Sequence, residues 1–165
     1  MKSLKVLGED YCLVEGRSGE DNVEFIDNQI VLNKNTRAAQ KILKESLSDL
    51  LATEMYNIFN EIIGENKIDV LGNLRFEIVE KIDNKKRRIA KLEGNKIMVK
   101  INAISLPKEA LRYIITHEMA HLVTKKHNGK FWKIVGTVYP EYKQGEKAFK
   151  DHEDYLSQSI VEMLE

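Results

Sequence analysis

Apolar and polar residues alternate along this chain with a period that changes several times. Residues 3 to 33 alternate in short runs, SLKVL, YCLVE, VEFI and QIVLN, the period-two mark of half-buried strands. Gly16 to Gly19 makes a longer turn among them, and Asp27-Asn28 a tight one. From Asn35 or Thr36, either of which can cap a helix, the period lengthens. Ile42, Leu43, Leu47, Leu50, Leu51, Met55, Ile58, Phe59, Ile62 and Ile63 recur every three to four residues up to Gly64. That spacing predicts one long helix with a core-facing stripe. Strand patterning returns in NLRFEIVEKI, RRIAKLE and KIMVKI, parted by a polar turn from Asp83 to Lys86 and by Gly94-Asn95. Ser105, as N-cap, and Pro107 open the next helix, and Gly145 to Leu164 reads as a last one, with Phe149, Tyr155, Leu156, Ile160 and Met163 apolar.

These elements predict an α+β fold in which an antiparallel-rich sheet packs on the long helix and on a second helix near residue 117. The 165 residues read as a single domain, with N-terminal β-structure over 1–34 and a helix–sheet–helix core over 35–165. In KIMVKI, Lys96, Met98 and Lys100 alternate with Ile97, Val99 and Ile101. Outward lysines discourage pairing between molecules, so this run is expected to be an edge strand along which an extended peptide could add.

Composition narrows the partners. Lys plus Arg equals Asp plus Glu at 26 each, with a pI near 6.9, so no overall field recruits nucleic acid or an anionic membrane. The run from Lys85 to Arg88 reads as a solvated turn. No apolar stretch approaches the ~20 residues a bilayer needs, and the N-terminus lacks a signal peptide's apolar region. The expectation is a cytoplasmic protein, with a monomer favoured. Cys12, the one cysteine, has no partner for a disulfide and reads as packing in a strand.

The chemistry gathers in LRYIITHEMAHLVTKKHNGKFW, residues 111 to 132. His117 and His121 stand one helical turn apart on one face, where two imidazoles can grip one ion. Glu118 follows the first of them by about 100° around the axis, beside the ion rather than on it. There it can take a proton from water. Counting round the helix puts Ile114, Leu111, Leu122 and Ile115 next to this face, so the motif borders a buried stripe. His127 completes the spacing HExxH-x5-H. In an unbroken helix it would point about 120° away from His121, so it reaches the same ion only if the helix stops. Lys125, Lys126 and His127 suit a C-terminus, Asn128-Gly129 can turn the chain, and the helix is expected to end near Thr124. Asn128 can then cap a helix beginning with Phe131 and Trp132.

The stretch YIITHEMAHLVTKKHNGKFWKIVGTVYPEY resembles the active-site segment of the YgjP-like zinc metallopeptidases. That family shows HELAH, a His-Ser pair, Phe-Trp and then Pro-Asp-Tyr. Here Asn128 takes the serine's place and Pro140-Glu141-Tyr142 matches the tail. Many relatives also carry Trp-Gly-Ser-Cys-Ser before a Gly-Asn strand. This chain has RIAKLE there instead, so whatever that loop does is not carried over.

The resemblance and the residues together imply a metallopeptidase holding one Zn2+ per chain through His117, His121 and His127. Glu118 would be the general base, and the substrate a peptide or protein. Tyr139 and Tyr142 are weak candidates for stabilising an oxyanion, and His152 is a reserve ligand. Two other readings stay open: a SprT-like protease acting on DNA-associated proteins, and a non-catalytic zinc-binding module. A metzincin shares the HExxH-x5-H spacing but needs glycine where Thr124 stands.

Overall fold

In the computed structural model, which describes residues 2–16, 19, 22–33, 37–66, 74–85 and 87–153, four strands precede a long helix. They are β1 (Lys2–Val6), β2 (Glu9–Gly16), β3 (Val23–Ile26) and β4 (Gln29–Asn33), followed by α1 (Arg37–Asn66). Three more strands come next: β5 (Arg75–Val79), β6 (Ala90–Glu93) and β7 (Lys96–Lys100). A 3-10 turn (Ile101–Ser105) then leads into α2 (Lys108–Ala120), α3 (Gly129–Val138) and α4 (Tyr142–Asp151). The expected caps Asn35 and Thr36, and the expected helix beyond Glu153, lie outside the described residues.

The first sheet has the order β1-β2-β4-β3. β1 and β2 pair antiparallel around Leu7 and Gly8, at φ 52° and 85°. Two successive left-handed residues are what a tight hairpin of this twist demands. β3 and β4 pair antiparallel around Asp27-Asn28, as the sequence predicts, while β2 and β4 run parallel. In α1, Leu43, Leu47, Leu51, Met55 and Ile62 are fully buried. Each such side chain contributes about 1.5–3 kcal/mol on leaving water. This stripe joins Leu4 and Ile30 of the first sheet, Ile97 and Val99 of the second, and Ile114 and Ile115 of α2 in one apolar core.

The second sheet corrects one expectation. Its order is β5-β7-β6, so β7 is the central strand, parallel to β5 and antiparallel to β6. Residues 96 to 100 are therefore no edge, and no peptide can add there. Lys96 instead pairs with Glu77 on β5 at 2.7 Å. Lys100 is buried, and its Nζ donates to the Lys85 carbonyl at 2.5 Å. The outer strand beside α2 is β6. A second correction concerns Ser105, whose Oγ donates to the Asn102 carbonyl at 2.9 Å, closing the 3-10 turn. Pro107 holds the N-cap position of α2 without a side-chain bond.

Candidate metal centre

α2 packs against α1, α3, α4 and β6, which buries most of its surface. It stops at Ala120, slightly before the expected end. His121, Leu122 and Val123 donate to the carbonyls of Glu118, Met119 and Ala120, three residues back, so the last turn tightens. The chain then turns through residues 121 to 128. Asn128 Oδ1 accepts from the Phe131 amide at 3.1 Å and starts α3. This break is what carries His127 back to α2.

Among the described residues, one group of His, Cys, Asp and Glu side chains could hold a metal ion: His117, His121 and His127. One ring nitrogen from each lies within 4.8 Å of the others. The Nε2 atoms of His121 and His127 are 3.1 Å apart. Two nitrogens sharing a tetrahedral zinc at 2.0–2.1 Å would be about 3.3 Å apart, so this pair fits. His121 Nδ1 faces the Thr124 carbonyl at 3.2 Å. A carbonyl can only accept, so Nδ1 carries the proton and Nε2 keeps its lone pair for a cation. Desolvation, and then the His117 and His121 rings, push His127 below its ordinary imidazole value, which favours the neutral ring a metal requires. Phe131, fully buried, floors the cluster with its ring centroid 4.8–5.0 Å from all three imidazoles.

Glu118 is buried beside them. Its Oε1 lies 3.5 Å from His117 Nδ1, and its Oε2 accepts from the Leu92 amide on β6 at 3.0 Å. One carboxylate oxygen is thus tied to the sheet and the other turned toward the histidines.

His152 is not part of the group; its Nδ1 contacts the Ala148 carbonyl of its own helix at 2.7 Å. Tyr139 is buried with its ring under the Arg112 guanidinium at 5.2 Å. Tyr142 stacks on Trp132 at 5.8 Å. One tyrosine beside the centre is absent from the residues the sequence singles out. Tyr113 sits one turn before His117, 5.9 Å between ring centroids, and donates to Glu146 Oε2 at 3.1 Å. Burial, then Glu146, raises its hydroxyl well above the usual range, so it stays protonated. The same i, i+4 count that pairs His117 with His121 would have found it. Leu92 left no such signal, because its contribution is a backbone N–H.

No helix among the described residues is long and apolar enough to cross a membrane. No solved structure matches the chain. A curated relative, the UTP pyrophosphatase of Escherichia coli (strain K12), is 34% identical over 111 residues, 65% of this chain and 64% of that protein. The chain thus covers less than two thirds of that relative's length. A family model described as YgjP-like, metallopeptidase domain, matches residues 1–152. That match takes in both sheets, the helix break and all three histidines, and by it the chain belongs to the YgjP-like metallopeptidase family.

Proposed function

We propose that this chain is a zinc-dependent peptidase in which His117, His121 and His127 hold one Zn2+ and Glu118 is the general base. The observation that carries the reading is the three-histidine cluster with a buried carboxylate at its side. Zinc held there would lower the pKa of water toward about 7 and polarise the scissile carbonyl. Glu118 Oε1 takes a proton from the attacking water and returns it to the leaving nitrogen. The Leu92 amide keeps that carboxylate from turning away. Phe131 excludes water beneath the imidazoles, which strengthens every charge interaction above it. Glu118→Gln keeps size and ligands but removes the base. It should bind zinc as the wild type does and lose peptide hydrolysis by about 10²–10⁴-fold. Wild-type turnover by this variant would exclude the role.

A second reading is favoured by the 34% identity to a UTP pyrophosphatase. The same histidines and base could direct water at a phosphoanhydride of a nucleoside triphosphate instead of a carbonyl. Assaying zinc-loaded protein with a peptide library and with UTP, scoring new amines and released pyrophosphate, separates the two. Pyrophosphate release abolished by Glu118→Gln, with no peptide cut, would replace the first reading by the second.

A further inference from the structure

We infer that the cleft beside Glu118 is a pocket for one large, uncharged apolar side chain of the substrate, next to the bond that is cut. This rests on the peptidase reading. The cleft, about 200 Å³ in volume, has His117 and Glu118 in its own wall, so a guest there lies against the proposed base. Ile89 just before β6, Ala90 at its start and Ile114 on α2 give it a buried apolar lining, which Phe149 of α4 completes. An apolar cavity of about 150 Å³ is enough to hold benzene. A phenyl or leucyl group therefore fits.

The polar groups of the cleft argue against a charged guest. Glu146 accepts from the Tyr113 hydroxyl at 3.1 Å on one oxygen and from Lys150 at 3.2 Å on the other. The three satisfy one another, and the carboxylate and ammonium cancel. A carboxylate entering would face those of Glu118 and Glu146, and an ammonium would pair with Glu118 and so quench the proposed base. A nucleobase would bring a polar edge against a lining that is mostly isoleucine, alanine and phenylalanine. An apolar side chain meets neither cost.

The test uses the full chain with isoleucine methyl groups labelled for NMR, and three probes: N-acetyl-phenylalaninamide, N-acetyl-glutamate amide and uridine. The phenylalanine probe should shift the Ile89 and Ile114 methyl signals, and the other two should not. Phe149→Trp, which fills the cleft, should abolish those shifts, and the smaller change Ala90→Val should weaken them in a chain that keeps its fold. Lys150→Ala, at the exposed rim, should leave them. Equal shifts with uridine or glutamate, or none with phenylalanine, overturn the pocket. In hydrolysis, changing the residue beside the scissile bond from Ala to Leu should raise kcat/KM about tenfold or more. Peptides cut regardless of that residue, with the phenylalanine probe silent, would sink the pocket and leave the peptidase. Probe shifts in a chain that cuts no peptide would keep the apolar site and retire the peptidase.

Discussion

His127→Ala is the sharpest test of the metal centre, because this histidine depends on a helix break rather than on helical spacing. The ring is exposed, on the turn between α2 and α3, and the Asn128 cap that follows does not use it. Its removal should cost the fold within about 0.5 kcal/mol. The effect on zinc is different. Structural zinc sites bind with about 10–16 kcal/mol over four ligands, or about 2.5–4 kcal/mol for each. Losing one should weaken affinity by about 10²–10³-fold, at about 1.4 kcal/mol per decade. Competition against a chromophoric chelator reads the affinity, and a thermal melt of the metal-free protein reads the fold. His152→Ala is the control, since its Nδ1 already contacts a carbonyl within α4, and it should leave zinc affinity unchanged. Wild-type affinity in His127→Ala, or a large loss in His152→Ala, would refute the ligand assignment.

Two glycines should respond oppositely to alanine. At Gly145 the new Cβ would stand 2.7 Å from the Glu109 carbonyl oxygen and 2.9 Å from Tyr113 Cβ, so α4 must move off α2. Urea unfolding should show a loss of about 1–3 kcal/mol. At Gly136, inside α3, the nearest atom would be 3.6 Å away, and alanine should add about 0.4–1 kcal/mol by narrowing the unfolded ensemble; the reverse order would contradict this packing. Asp83 tests the turn before β6. The hydrogen bonds from Lys91, at 2.9 and 3.1 Å, hold its carboxyl below its ordinary value of 3.8. A folded-state value below the unfolded one stabilises at pH above about 3.8, and that contribution disappears as pH falls through the folded value. NMR titration should find this low midpoint and see it rise in Lys91→Met; a midpoint indifferent to Lys91 would break the assignment.

Much of the centre was legible because helical geometry is local. Spacing alone placed His117, Glu118 and His121, and the Lys125 to Gly129 run gave the stop that returns His127. Asn128 announced α3 by the chemistry of capping. Strand order was not legible. Alternation in KIMVKI reports which side chains face the core, and it reads the same in a central strand as in an edge. Lysine as an edge guard failed for a specific reason: Lys96 met Glu77 across the sheet and Lys100 met a loop carbonyl. Ser105 looked like a helix cap because its hydroxyl was free to bond either way along the chain, and the 3-10 turn took it. The pocket beside Glu118 joins residues 89 to 150, far apart in the chain, and the packing of β6 and α4 on α2 brings them together.

The first hairpin, which carries no chemistry of its own, acts as the mooring of α2, the helix that bears His117 and Glu118. At its tip the Leu7 and Gly8 amides donate to the carbonyls of Ile104 and Ser105, at 2.5 and 3.1 Å. Gly8 lies so close to Pro107 that an added Cβ would come within 3.0 Å of the ring. α2 leaves from that point as a stiff rod, and His117 lies about 14 Å along it. A small tilt at the mooring is therefore multiplied at the histidines. Cutting away residues 1–33 to isolate the part with the motif would spare every histidine of the cluster and still release the near end of the lever that aims them.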